Sequence, residues 1–259
     1  MKEYKTYSEK DTKTIQWLDE KFKELISEYT IQEWEIPTMI DEDILSKCGY
    51  FKTMPNQLTP VGHVNLNDME MILSNGKISK DNLLFGKKYL APAACLHIYP
   101  ILEKNPVMNQ IITIKGHAYR YEEKGFMEGE RQWDFLIREF VAIGDPEYVK
   151  EFLNTFQKKI LLFTEACSMP CCIKAASDPF FPTKENNLMK MRQKVNGLKH
   201  ELLFDDRLAI GSFNYHGFHF SKPFHFDQER KVVSGCVGFG IDRWIKALED
   251  IKNMEEKTI

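Results

Sequence analysis

A chain of 259 residues is long enough to bury a sizeable core, and 43% hydrophobic content supplies the material for one. Its 35 Lys and Arg against 38 Asp and Glu exclude a protein built to coat nucleic acid or an anionic membrane. The charged opening, MKEYKTYSEKDTK, has no apolar signal region, and no apolar run approaches the roughly 18 residues that a membrane span needs. The expectation is a cytoplasmic protein of one domain covering 1–259, its six cysteines reduced.

Residues 9 to 29 place Ile15, Leu18, Phe22, Leu25 and Ile26 at helical spacing among charges, which predicts an amphipathic helix. EWEIPTMIDEDIL begins as an extended run ended by Pro37 and continues into a second helical piece, and GYFKTMPNQLTPVG reads as loop. PAACLHIYPIL and QIITIKGHAYRYEE read as strands. A turn at Gly125–Gly129 then joins the second of these to another strand in an antiparallel hairpin. DPEYVKEFLNTFQKKILLFTEAC predicts a helix capped by Asp145, with Pro146 in its first turn. CCIKAASDPFF and RLAIGSFNYHGF read as strands on either side of a charged stretch containing ELLF. VVSGCVGFGIDRW reads as a strand, a glycine turn and a helix. Helices interspersed with hairpin-type strands predict an α+β fold with a mainly antiparallel sheet.

Four groups of residues suggest sites. On the hairpin, strand period puts Arg120 and Glu122 on one face, and Arg131, Trp133, Phe135, Ile137 and Glu139 on one face of the next strand. Such a pair could hold a phosphate, a flat ring and an ammonium group, or be a solvated hairpin with cross-strand ion pairs. Cys95 and Cys236 are isolated and by themselves read as core thiols, and CSMPCC lacks the paired spacing of structural zinc. His216, His219 and His225 could form a three-histidine zinc site or line a pocket, for which Ser212 and Asn214 would make a polar floor. Gly238 and Gly240 before Arg243 permit close approach of a ligand to the backbone, or make a tight helix-packing turn.

Taken in order, three segments resemble the motifs of class II aminoacyl-tRNA synthetases. EWEIPTMI resembles motif 1, AYRYEE with RQWDFLIRE resembles motif 2, and CVGFGIDRW resembles motif 3. GYFKTMPNQL, ASDPFF, LKHELLF and SFNYHGFHF are similar to the amino acid:[carrier protein] ligases, truncated relatives of atypical zinc-dependent seryl-tRNA synthetases. The resemblance covers about residues 20 to 250.

That resemblance implies a single class II synthetase-like catalytic domain with no tRNA-binding domain, and a homodimer joined near Pro37. It implies Zn²⁺ held by Cys95, Glu139 and Cys236, against the reading of those cysteines as core thiols, with the substrate amino group on the open position. It also implies ATP as co-substrate. Arg120 would contact the α-phosphate and the substrate carboxylate, and Glu122 the adenine amino group. Phe135 and Arg243 would sandwich the adenine, and Arg131 would meet the outer phosphates. Glu201 with Ser212 or Asn214 would hold Mg²⁺. The implied reaction activates an amino acid as its adenylate and passes it to the phosphopantetheine thiol of a small carrier protein. Transfer to a tRNA or small amine, or a non-catalytic regulatory role, are the alternatives. PTKENNLMKMRQKVNG departs from the family pattern where the substrate side chain would lie, so the resemblance does not imply the family's glycine or alanine preference for this chain.

Overall fold

The computed structural model describes residues 5–123, 125–226 and 231–258, with side chains as far as 253. Its first element, α1 (Glu9–Glu24), is fixed by a reciprocal cap: Asp11 N–H donates to the Ser8 side chain, and Ser8 N–H to Asp11 Oδ2. Ile15, Leu18 and Phe22 face the core at helical spacing. The helix stops five residues short of the predicted end, in turns that still bury Ile26.

β1 (Ile31–Trp34) precedes Pro37, and β2 (Met39–Asp41), α2 (Glu42–Lys47) and α3 (Tyr50–Thr53) follow. GYFKTMPNQLTPVG is therefore more ordered than expected: it holds α3, a short 3-10 turn at 55–57 and the start of β3 (Pro60–Val64). α4 (Met69–Asn75) and β4 (Leu83–Leu90) complete a three-stranded sheet of order β2-β4-β3.

PAACLHIYPIL is not a strand. Ala94–His97 form a 3-10 turn and Tyr99–Lys104 form α5, with Pro100 in its first turn, where a missing N–H leaves no helical bond unmade. Its run of apolar residues is buried from Ala93 to Tyr99, so no polar alternation marks the period.

The large sheet has seven strands in the order β1-β5-β6-β10-β9-β8-β7. β5 (Gln110–Tyr119) and β6 (Asp134–Gly144) form the expected antiparallel hairpin, and only β1 pairs parallel, with β5. α6 (Pro146–Ala166) starts at Asp145, whose carboxylate accepts from the N–H groups of Glu147 and Tyr148. β7 (Cys171–Ala175) is followed by α7 (Lys184–Val195), so the charged stretch is a helix, and its ELLF lies in β8 (Lys199–Phe204). β9 (Leu208–Gly217), β10 (Val233–Gly240) and α8 (Ile241–Thr258) end the chain.

Strand alternation divides the core. Leu136, Phe140, Val237 and Phe239 face α1, α6 and α8 in one apolar cluster, with Phe152, Phe156 and Trp244. Ile137, Val141 and Cys236 face the opposite way, toward a second cluster with Tyr99 and Phe220. The result is the predicted α+β architecture, a mainly antiparallel sheet flanked by helices. No described helix is long and apolar enough to cross a membrane.

Candidate functional site

The second face of the large sheet opens into a cavity of about 480 Å³. Strand register builds its floor. One transverse row runs Glu139, Gly238, Ser212, Glu201 across β6, β10, β9 and β8, and the next runs Val141, Cys236, Asn214, Lys199. Residues far apart in sequence therefore face one space, because each occupies the same face of its strand. Gly238 leaves a gap in this floor: a Cβ there would stand 3.5 Å from Ser212 Oγ and 3.6 Å from Glu139 Oε1. The glycines of β10 make no turn, contrary to expectation. The strand runs through Gly240 and α8 begins at the next residue.

At one end of the cavity, Cys95, Cys236 and Glu139 are all buried. Cys95 N–H donates to Glu139 Oε2 at 2.5 Å, and the Cys95 thiol hydrogen-bonds to Cys236. Asn214 Nδ2 and His216 Nε2 approach Cys236 Sγ at 3.5 and 3.4 Å. The bond from Cys95 draws the Cys236 thiol well down, and the same bond and burial push Cys95 up. Burial raises the Glu139 carboxyl to about 7. Among the described residues, no three or more His, Cys, Asp or Glu side chains are grouped so as to hold a metal. The three residues are neighbours, but a Glu139 oxygen is engaged by the Cys95 amide and the sulfurs by each other.

The three-histidine alternative does not assemble. His216 bonds Ser234 Oγ at 3.1 Å and His219 lies 3.4 Å from the Cys48 carbonyl, while His225 is exposed with φ of 52° and does not line the cavity.

At the other end the β5–β6 hairpin delivers Arg120, Glu122 and Phe135. Pairing persists past the strands, since Arg120 N–H donates to the Trp133 carbonyl at 2.9 Å. Arg120 Nε donates to Pro92 O at 2.8 Å, and its guanidinium lies 5.4 Å from the centre of the Phe135 ring. From the first turn of α8, Arg243 donates to the Glu130 and Ala209 carbonyls, both at 2.8 Å. Burial, then the nearby charge of Arg120, lowers the Arg243 pKa.

Of the residues that the resemblance assigns to ATP, the amino acid or a metal, Arg131 stands outside the cavity wall. Its Nε donates to Gly125 O at 3.0 Å in the hairpin loop, so in this structure it does not face the site. Other wall residues were missed. Asp178 accepts from Lys199 Nζ and Gln193 Nε2, both at 2.7 Å, and Lys199 also lies 3.4 Å from Glu201. The segments ASDPFF and LKHELLF carried that signal, but no spacing rule joins a loop carboxylate to a strand lysine. Gln132 was missed too, and both ends of its amide are buried in the wall without a hydrogen-bond partner among the described residues.

No family model matches the chain. It is 28% identical over 230 residues to amino acid–[acyl-carrier-protein] ligase 1 of Bradyrhizobium diazoefficiens, covering 82% of this chain and 69% of that one. It is 29% identical over 250 residues to the type-2 serine–tRNA ligase of Methanocaldococcus jannaschii, covering 86% of this chain but 47% of that one. The chain thus spans about half the length of the serine–tRNA ligases it matches. Among solved structures, the M. kandleri SerRS in complex with A. aeolicus tRNASec superimposes with a TM-score of 0.81 at 19% identity, over 96% of this chain and 53% of that one. The prolyl-tRNA synthetase of Cryptosporidium parvum complexed with halofuginone and AMPPNP gives 0.63 at 14% identity, over 92% of this chain and 45% of that one.

Fold and relatives together define a class II aminoacyl-tRNA synthetase-like protein. Its homologues are ligases of two kinds, named for joining an amino acid to acyl carrier protein and serine to tRNA.

Proposed function

We propose that this protein is an ATP-dependent ligase that activates an amino acid as its adenylate and transfers it to the phosphopantetheine thiol of a carrier protein. The observation that carries the reading is the cavity floor. A single space gathers Arg120, Glu122, Phe135 and Arg243 at one end and Cys95, Glu139 and Cys236 at the other.

In the first step a carboxylate oxygen of the amino acid attacks the α-phosphorus of ATP, and pyrophosphate leaves. The carboxylate is ionised at neutral pH, so no general base is required and catalysis is positioning plus charge stabilisation. Arg120 would align the carboxylate with the α-phosphate, neutralising charge on both. Glu122 would accept from the adenine amino group. Phe135 and Arg243 would bracket the ring, a stacking role suited to a planar guanidinium. In the second step the acceptor's thiol gives up its proton to solvent, its sulfur attacks the acyl carbon, and AMP leaves with the electron pair of the broken C–O bond.

Two thiols and a carboxylate of raised pKa, buried side by side, form a donor set of the kind zinc binds. Zinc held by Cys95, Glu139 and Cys236 would supply a Lewis-acid seat for the uncharged α-amino group. Magnesium at Glu201 with Ser212 or Asn214 would offset phosphate charge. A single catalytic domain that pairs as a homodimer near Pro37 belongs to the same proposal.

Amino-acid-dependent exchange of pyrophosphate into ATP, run over all common amino acids, tests the first step. Transfer of labelled amino acid to a phosphopantetheinylated carrier protein or to tRNA tests the second. Label on carrier protein is the expected result, and label on RNA alone would transfer the proposal to the serine–tRNA ligase side of the relatives.

A further inference from the structure

The cavity wall contains four cationic side chains, and three are already bonded. Arg120 donates to Pro92 O, Arg243 to two carbonyls, and Lys199 to Asp178 with Glu201 nearby. The fourth, Arg192, lines the same cavity and makes no hydrogen bond or ion pair within the described residues. It belongs to α7, the helix formed by the stretch that departs from the family pattern.

Several contacts fix where its helix sits. Met189, Arg192 and Gln193 all line the cavity, and their i, i+3, i+4 spacing makes them one face of α7. Gln193 is clamped reciprocally: its Oε1 accepts from Asp178 N–H at 2.8 Å, and its Nε2 donates to Asp178 Oδ2 at 2.7 Å. Asp178 Oδ1 takes the Lys199 ammonium, and Lys199 lies in the strand row Asn214, Cys236. α7 is thereby tied to the β8 side of the cavity floor, at the strand row that also holds Asn214 and Cys236. The other end of the helix is tied down as well, by the buried Asn186 bonding Lys52 O and Phe181 O.

Asp178 carries the Lys199 ammonium, and no ion pair joins it to Arg192 among the described residues. An exposed guanidinium carried by a fixed helix into the wall of a cavity, and lacking a partner among the described residues, is suited to an anion that arrives with the substrate. We infer that α7 selects the side chain of the amino acid, and that Arg192 receives a side-chain carboxylate, so that the substrate is aspartate or glutamate. This rests on the proposed function, because it places the α-amino group at the thiol end and so directs the side chain toward α7.

The test is pyrophosphate exchange with aspartate, glutamate, glycine, alanine and serine, using the full chain and its Arg192→Ala, Arg192→Lys and Arg192→Glu variants. The expected result is highest kcat/KM with an acidic amino acid. Arg192→Ala should lower it by roughly tenfold to hundredfold, the range of a lost charge-assisted hydrogen bond, mainly through KM. Arg192→Lys should recover part of the loss and Arg192→Glu should be worse than Ala. Highest exchange with glycine, alanine or serine, unchanged by Arg192→Ala, overturns the inference and leaves the ligase reading standing. An Arg192→Ala effect confined to the KM of the acceptor also overturns it, because the anion would then be the phosphate of the phosphopantetheine arm. Exchange with no amino acid defeats the ligase reading. Calorimetric titration with aspartate and glutamate then decides the inference separately: acidic amino acids bound by the parent and not by Arg192→Ala sustain it, and no binding ends it.

Discussion

The two ends of the cavity are built differently. The thiol end rests on neighbouring rows of paired strands, where β6, β10, β9 and β8 fix Glu139, Cys236 and Asn214 by register, and Cys95 joins them from the 3-10 turn through its backbone N–H to Glu139. At the other end the arginines are held by carbonyl oxygens, Pro92, Glu130 and Ala209, and the hairpin loop beyond Arg120 contributes the rest. A regular sheet presents functional groups at fixed spacing, whereas a loop presents them at spacings its own path decides. Arg131 illustrates the second case: its place in the resemblance was clear, but the loop turns it to Gly125 O.

The sharpest way to break this contrast is at the thiols. Cys236→Ala removes the sulfur that Cys95, Asn214 and His216 all address. The expected outcome is loss of bound zinc by metal analysis and at least a hundredfold fall in amino-acid-dependent exchange, roughly the order of losing a key transition-state or ligand contact. Full activity together with full resistance to chelators would remove zinc from the proposal. At the opposite end, Arg243→Ala should lower exchange by about tenfold to a thousandfold with metal content unchanged. Arg131→Ala, outside the wall, should change it by less than about threefold if the loop keeps its present path. A loss as large as that of Arg243→Ala would mean that the loop closes over the nucleotide during the reaction.

The same difference decided what was legible in the sequence. The β5–β6 hairpin, α6 and β10 declared themselves through alternation or helical spacing with a cap, and Glu139, Cys236 and Asn214 lie on these elements or on the equally periodic β9. PAACLHIYPIL hid its helix because it is buried over most of its length, which erases the polar face that sets a period. Without that segment's true shape, residues alone gave no reason to bring Cys95 to Cys236; the resemblance did so. The Asp178–Lys199–Gln193 cluster stayed illegible for another reason. It joins a loop, a strand and the divergent helix α7, and only tertiary packing makes them adjacent.

Two glycines of β10 separate the role of the strand as floor from its role as core. A Cβ on Gly235 would meet Val149 Cγ1 at 2.8 Å, the Asn214 carbonyl at 3.0 Å and Leu153 Cδ1 at 3.1 Å. Gly235→Ala should therefore destabilise the fold by about 1–3 kcal/mol, the ordinary penalty of overpacking, and lower the melting temperature by several degrees. Gly238→Ala meets nothing closer than 3.5 Å, so the melting temperature should hold. Its methyl would project into the cavity between Ser212 and Glu139, so KM for the amino acid should rise instead. Equal melting losses in the two variants would show that the floor is as tightly packed as the core.

The smallest effect is expected at the neck of the hairpin, outside the cavity. His117 Nδ1 lies 2.6 Å from Asp134 Oδ1, and this bond, with the charge of Asp134, raises the histidine pKa above its ordinary value of 6.5. A group whose pKa is higher folded than unfolded stabilises the protein fully below the unfolded value, and that contribution disappears as pH rises through the folded value. The clip joins β5 to β6 near the open end of the hairpin stem, beside the paired Ala118 and Phe135, and both its partners are partly exposed, so solvent screening keeps its worth small. Melting curves of the parent and His117→Gln should differ most near pH 6, with the parent higher, and should converge at alkaline pH. A gap that widens with pH would mean that the imidazole is held neutral and that the β5–β6 stem depends on packing alone at its open end.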